Sequence, residues 1–318
     1  MCPKNGVPEM RPSLPIKITL PDCFFREIEN CGYIVTSKQK KVWAVQLDLY
    51  HEFARICEKY NLKYQICFGT LLGAVRHKGF IPWDYDFDVW MRREDVNKLI
   101  SLTDEFKYPY FLQTPLSDRR YACPLTRLRN SETTAAISDY DTPDYNNGIY
   151  IDVYALDGLS KSKVKNSLQY ILKRLAYKLW TLSGQCAPRR NTLRERLMYL
   201  FKPITSLFTY EKWYSIYLST LTMWEKSSNI LSHMVASTWS GKKNWITKAE
   251  FDDTVEMDFE GIKVPAPRNY DAILRREYGD YLQFPPVDER GVCPSGLIRF
   301  EPELRYKDFL LKAGASDE

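Results

Sequence analysis

Residues 68–91 read FGTLLGAVRHKGFIPWDYDFDVWM, and the second half sets Asp84, Asp86 and Asp88 two residues apart with only Tyr85 and Phe87 between them. In an extended strand, side chains two apart share a face, roughly 6.5–7 Å from each other at Cα. The alternation therefore predicts a strand over 84–91. Asp84, Asp86, Asp88 and Trp90 lie on one face of it, and Tyr85, Phe87, Val89 and Met91 on the other. A single Asp-x-Asp is most simply an acidic outer face. Here the neighbours Ile81, Pro82, Trp83 and Trp90 read as buried, and acidic residues are depleted in strands. Three carboxylates so close repel, and without a counter-cation at least one takes up a proton. A hard divalent cation, Mg²⁺ or Mn²⁺, removes that conflict because it prefers carboxylate oxygens together with substrate phosphates.

Outward from this stretch, the pattern alternates strands and helices. Upstream, apolar residues at Val42, Val45, Leu49, Phe53, Ile56 and Tyr60 predict a helix capped by Ser37 and ending near Asn61. KYQICF reads as a strand broken by Gly69-Thr70 before the short helical run LLGAVR. A Gly-Thr at a strand-to-helix junction exposes backbone N–H groups where a helix N-terminus favours phosphate. Downstream, REDVNKLISLTDEF reads as a helix and CPLTRLRN as a strand with Leu125, Arg127 and Arg129 on one face. GIYIDVYALDG is a further strand, which sets Tyr150, Asp152 and Tyr154 together. Asp152, with its apolar flanks, is a natural further ligand. Near the end, EMDFEGIKVPAP predicts a hairpin turning at Glu260-Gly261, and NYDAILRREYGDYLQFPP a helix stopping at Gly279.

Over 318 residues the chain has ordinary hydrophobic content and an excess of aromatics, including 22 Tyr, so it can bury a sizeable core. Eight scattered cysteines without a CxxC pair, and only three His, argue for free thiols in a reducing compartment rather than a zinc site. The N-terminal MCPKNGVPEMRPSLPIKITL lacks an apolar signal core, and no stretch is apolar enough to span a bilayer. The expected place is cytoplasmic, peripheral at the inner face of the membrane. The net charge of +5 divides unevenly: residues 160–230 carry 13 Lys and Arg against 3 acids, a net of +10, and the remainder is −5. Basic residues interleaved with Tyr, Trp and Leu suit an anionic membrane surface or a lipid-linked glycan. A solvated helix face is the plainer alternative, and no motif points to nucleic acid.

A strand, a Gly-Thr turn, a short helix and a second strand of Asp-apolar-Asp pattern follow the logic of a nucleotidyltransferase. GTLLGAVRHKGFIPWDYDFDVWMRRED, RLRNSETTA, NNGIYIDVYALDG and PAPRNYDAILRREYGDYLQFPP resemble, in matching order, the LicD family, whose core is shared with the fukutin-related proteins. The resemblance implies an α+β fold: a nucleotidyltransferase-like (polymerase-beta-like) mixed sheet flanked by helices. It implies an N-terminal arm at 1–36, a catalytic core at 37–159, a basic helical insertion at 160–239 and a C-terminal part at 240–318 completing the domain. It also implies transfer of a phospho-alcohol, phosphocholine foremost, from a CDP-linked donor to a hydroxyl of a cell-surface glycan (lipopolysaccharide, capsule or teichoic acid), with release of CMP. Asp84, Asp86, Asp88 and Asp152 would be the catalytic carboxylates: Asp86, Asp88 and Asp152 would hold the metal, and Asp84, first member of the acidic cluster, would be a further ligand or the base. Gly69 and Thr70 would contact phosphate. Where many relatives have a second consecutive Asp and a His before the later strand, this chain has Tyr85 and Asn146-Asn147.

Phosphates need positive partners, and Arg76, His77, Lys78, Arg127 and Arg129 are the candidates, since the guanidinium fork matches a phosphate. Trp83 and Tyr85 could stack on a base or cage a quaternary ammonium, although such residues are more often core. Two other readings use the same residues: a nucleotidyltransferase that leaves the nucleotide on its acceptor, and a non-catalytic binding protein. The intact Asp84, Asp86, Asp88 and Asp152 argue against the second.

Overall fold

A computed structural model describes residues 14–121, 123–137, 144–184, 200–224, 227–233, 245–290 and 298–315. Its longest helix, α1 (Ser37–Lys59), begins one residue later than its cap: Thr36 keeps an extended backbone and its hydroxyl accepts from Gln39 N–H at 3.2 Å. Thr36, not Ser37, therefore fills the cap that Ser and Thr favour. One face of α1 buries Val42, Val45, Leu49, Phe53 and Ile56 in the main core. Its buried Asp48 accepts from the N–H groups of Lys17 and Ile18 and from the Tyr110 hydroxyl. That bond set straps residues 14–20 of the arm onto the domain. The arm is more regular than its prolines suggest, because β1 (Ile28–Asn30) and β2 (Tyr33–Val35) form a hairpin. Its turn places Cys31 and Gly32 at φ 55° and 72°, the two positive angles that twist-matched hairpins need.

A seven-stranded mixed sheet carries the domain. Its members are β3 (Tyr64–Ile66), β4 (Asp88–Arg92), β5 (Tyr110–Gln113), β6 (Thr126–Asn130), β8 (Ile149–Leu159), β9 (Ile230–His233) and β10 (Trp245–Thr247). The eleven residues of β8 are its spine. One edge of β8 pairs in parallel with β4; the other pairs antiparallel with β6 in its first half and with β9 in its second. Such a near-continuous apolar run is what a strand buried on both faces requires. Outside this sheet, β7 (Thr134–Ile137) pairs with β13 (Ile298–Glu301), and β11 (Thr254–Phe259) with β12 (Ile262–Pro267). The β11–β12 turn falls at Glu260 and Gly261, with φ 49° and 84°, as the sequence predicts.

Helices α2 (Phe68–Arg76) and α3 (Arg93–Ser101) bracket β4. The predicted helix over 93–106 stops at Ser101 and gives way to a 3-10 turn at Thr103–Glu105. The predicted strand over 84–91 is also corrected: regular pairing starts only at Asp88, and Asp84 and Asp86 lie in the irregular approach to β4. In the basic block, α4 (Lys163–Gly184) and α5 (Tyr210–Leu221) pack together around Trp180, Trp213 and Tyr217, a satellite core separate from the main one. Half of the second predicted helix of that block, 191–199 of 191–208, lies outside the described residues, as do Cys2, Cys186 and Cys293; the described half is helical only over Lys202–Thr205. Helix α6 (Lys248–Asp252) precedes β11. Helix α7 (Tyr270–Tyr278) ends as expected at Gly279, whose φ of 73° no side chain adopts easily. Helix α8 (Tyr306–Ala315) closes the described chain. The free-thiol expectation holds for Cys31, Cys57, Cys67 and Cys123 but not for Cys23, which is disulfide-bonded.

Candidate active site

The parallel pairing of β4 with β8 sets Asp88 directly against Asp152. Partner residues of neighbouring strands point to one face about 4.7–4.9 Å apart, so these two carboxylates stand side by side at the point where both strands begin to pair. Three bonds fix the junction. The N–H of Asp88 donates to the Thr70 hydroxyl at 2.8 Å, that of Cys67 to the Asp88 carbonyl at 3.1 Å, and that of Asp152 to the Phe87 carbonyl at 2.9 Å. Arg127, on β6 opposite Asp152, donates from Nε to Asp152 Oδ1 at 2.6 Å. Its guanidinium lies 3.9 Å from the centre of the Tyr150 ring.

Asp84 and Asp86 hang over this pair on the irregular segment 82–87. Asp84 Oδ1 accepts from the Tyr85 N–H at 2.8 Å, and a Cβ on Gly69 would come within 2.7 Å of Asp84 Oδ2. Only glycine permits that approach, so Gly69 and Asp84 are one fitted contact that braces the loop on the first turn of α2. Asp86 is the member of the cluster open to solvent. The walls around it still strip water from its carboxyl and, with the charges of Asp84 and Asp152, push its pKa up to about 7 against the pull of Arg127. Burial, and then the charges of Asp86, Asp152 and Asp84, drive the Asp88 carboxyl well above the usual range. Burial likewise raises Asp84, partly offset by its backbone hydrogen bonds.

Four acids facing one arginine is the electrostatic conflict that a divalent cation resolves. Among the described residues, no three His, Cys, Asp or Glu side chains form a ready-made metal cage. Mg²⁺ does not need one, because it keeps waters and is commonly held by one or two carboxylates plus substrate phosphates. The Asp88–Asp152 pair, with Asp86 at the mouth, fits that mode of binding.

The other expected residues divide into those that meet the cluster and those that do not. Thr70 is buried and gives its hydroxyl to Asp88 N–H, while the start of α2 at Phe68 puts Gly69 and Thr70 inside the helix's first turn. Arg129 is 2% exposed and is tied to Gln113 Oε1 and the Gly148 carbonyl, both at 2.5 Å. It shapes the wall behind Tyr150. Arg76 donates to the Tyr281 carbonyl at 3.0 Å and to His77, holding the segment after α7. His77 packs on Trp83 and Phe284, and burial beside Arg76 lowers its pKa to about 4. The guanidiniums of Arg76 and Arg290 lie over the Trp83 ring, at 5.8 and 4.8 Å. Lys78 is exposed in the turn whose carbonyl accepts from Glu260 N–H. Tyr85 stacks on Phe300 at 5.3 Å, turned from the carboxylates.

Sequence reasoning missed the groups that hold this loop. Gln39, Trp43 and Gln46, spaced 4 and 3 along α1, donate to the carbonyls of Pro82, Asp84 and Tyr85 at 2.7, 3.1 and 2.5 Å. A polar stripe inside an apolar helix face was the available signal. Phe68 was also missed. It adopts φ 48°, a costly angle for a bulky side chain, kept where the surroundings over-determine it. Its ring thereby meets Tyr154 at 5.0 Å and His233 at 4.9 Å beside the carboxylates. On α7, both carboxylate oxygens of Glu277 are buried without a hydrogen-bond partner. The Cys67 thiol, raised by burial and then by Asp88, Glu277 and Asp152, places Glu277 in the same electrostatic neighbourhood.

With this geometry in hand, comparison with known proteins is specific. Residues 61–167 match the family model described as LicD/FKTN/FKRP, nucleotidyltransferase domain. The chain is 23% identical over 256 residues to the lipopolysaccharide cholinephosphotransferase LicD of Haemophilus influenzae, covering 77% of this chain and 92% of that protein. Uncharacterized proteins of Rickettsia prowazekii and Rickettsia typhi are each 49% identical over 49 residues, 15% of this chain. The matched region holds β3, α2, the acidic loop, β4, β6 and β8, and therefore all four carboxylates of the cluster, whereas Glu277 lies outside it. Residues 61–167 are a LicD-family domain.

Proposed function

We propose that this chain, built on a nucleotidyltransferase-like fold, transfers a phospho-alcohol from a CDP-linked donor to a hydroxyl of a cell-surface glycan, releasing CMP. Phosphocholine is the leading group and lipopolysaccharide the leading acceptor, on the likeness to the Haemophilus protein. The observation that carries the reading is the register of β4 and β8, which sets Asp88 beside Asp152 with Arg127 on the same spot.

Asp88 and Asp152, with Asp86, would hold Mg²⁺ or Mn²⁺, which when bound neutralises donor phosphate oxygens. The remaining work belongs to the chain's own groups. The α1 clamp fixes the loop, the Asp84–Gly69 contact sets its height over α2, and Arg127 presents a fixed positive charge to the phosphates. The acceptor oxygen attacks the phosphorus that carries the alcohol. A new P–O bond forms as the bond to the bridging oxygen breaks, and CMP departs with that electron pair. The hydroxyl proton passes to a carboxylate of the cluster, of which Asp86 is the one open to solvent. Catalysis of this kind is mostly positioning and charge stabilisation.

A panel of CDP-linked alcohols, with glycan acceptor and Mg²⁺, tests the reading. Metal-dependent CMP release is expected, greatest with CDP-choline. Nucleotide retained on the acceptor without free CMP would select the nucleotidyltransferase alternative, and turnover undiminished by chelation would remove the metal from the scheme.

A further inference from the structure

Helix α4 leaves one face without a partner. Val164, Leu168, Ile171 and Leu175 are 79, 51, 62 and 56% exposed. Their spacing of 4, 3 and 4 aligns them in one stripe, about 16 Å long at 1.5 Å per residue. The opposite face buries Gln169, Lys173, Ala176 and Trp180, so the exposed stripe is not a frayed or misassigned core face. Beyond the helix, Leu200, Phe201 and Leu207 add side chains 73, 55 and 70% exposed. Phe208 borders a cleft of ≈ 650 Å³ between Ser183, Lys202 and Tyr210. Single exposed apolar residues are ordinary; four of them aligned along one helix face mark an interaction surface.

The charges around the stripe identify what it meets. On the helical wheel, exposed Lys165 flanks it on one side and exposed Arg174 and Lys178 on the other, and exposed Lys161 lies just before the helix begins. The surrounding block carries +10 while the rest of the chain carries −5. A second copy would bury the stripe but face one basic rim with another. Among the described residues no helix is long and apolar enough to cross a membrane, so the stripe does not belong to a span. We propose that α4 lies in the headgroup boundary of an anionic lipid bilayer, with its apolar stripe inserted and its Lys and Arg rim on the lipid phosphates. The inference goes beyond the transfer reaction and does not depend on it: lipid binding would stand even if the donor or acceptor proved different.

Vesicle flotation of the full chain tests it without an activity readout. Binding to equimolar phosphatidylcholine–phosphatidylglycerol vesicles at low salt is expected, with little binding to phosphatidylcholine alone. Leu168→Asp and Ile171→Asp should each weaken it about tenfold, the loss of one well-buried aliphatic side chain. Lys161→Gln with Lys165→Gln should lower both affinity and its salt dependence, and Ile34→Asp, on the distant β1–β2 hairpin, should change nothing. Circular dichroism and melting of each variant separate lost binding from lost folding. No vesicle binding by the wild type at low salt overturns the proposal, as does binding indifferent to both Asp substitutions. A dimer in light scattering that Leu168→Asp dissolves, without vesicle binding, would overturn it in favour of self-association.

Discussion

Glu277 is the residue whose environment most needs an explanation. A carboxylate with both oxygens buried and unpartnered is costly when ionised, and burial pushes its pKa up to about 7 despite Arg276. A folded-state pKa above the unfolded value means a stabilising contribution that is complete below the unfolded value and lost as pH rises through about 7. Between pH 5 and 8 the ionised wild type should therefore lose roughly 3 kcal/mol that Glu277→Gln retains. Melting the two proteins across that range should show curves that separate as pH rises; parallel curves would mean that Glu277 has a partner or is hydrated. Asp84 and Asp88 present the complementary contrast. Asp84 spends its carboxylate on Tyr85 N–H and the Gly69 contact, whereas Asp88 faces Asp152. Asp88→Asn should lower CMP release by about a thousandfold or more, the scale of losing a central charge-stabilising group, and Asp84→Asn by about tenfold or less. Equal losses in steady-state assays would return Asp84 to the reacting centre.

At the scale of elements, local pattern was readable and pairing was not. The helix over 37–59, the hairpin at Glu260-Gly261 and the stop at Gly279 follow from spacing and turn chemistry that neighbours within a few residues determine. The register of Asp88 on Asp152 joins residues 64 apart in sequence, and no periodicity carries that information. The same blindness applies to Arg127, which the sequence offers as a candidate phosphate partner but not as a partner of Asp152. The acidic stretch was read as a strand because it alternates, yet strand geometry needs a neighbouring backbone, and before Asp88 the loop's carbonyls are taken by side chains of α1. That clamp gives an element-scale prediction. Gln46 Nε2 reaches the carbonyls of both Tyr85 and Tyr150, at 2.5 and 3.3 Å. Gln46→Leu leaves both without that donor and should cost about 1–3 kcal/mol. Because the loop carries Asp84 and Asp86, CMP release should fall further than the fraction folded at the assay temperature. Activity that tracks the folded fraction alone would make the clamp a support of the fold and not of the site.

For the molecule as a whole, one buried ion pair locks α3 onto the sheet beside the basic block. Arg93, opening α3, grips Asp157 of β8 with two bonds, Nε to Oδ1 at 2.7 Å and Nη2 to Oδ2 at 2.6 Å, and Asp157 is fully buried. The aromatic satellite core of α4 and α5 stands over this pair: Tyr214 and Tyr217 both feel the charges of Arg93 and Asp157. A buried pair contributes little net stability, because desolvation of both charges offsets their attraction, but removing one partner strands the other. Asp157→Ala should therefore destabilise the protein by about 3–5 kcal/mol, and Arg93→Met by a similar amount. The combination Arg93→Met with Asp157→Leu should recover most of that loss, since two apolar groups replace two charges without leaving either unpaired. Denaturant unfolding of the four proteins gives the coupling directly. A double variant as unstable as the sum of the singles would mean that the two charges are not coupled, and that each is satisfied by groups other than its partner.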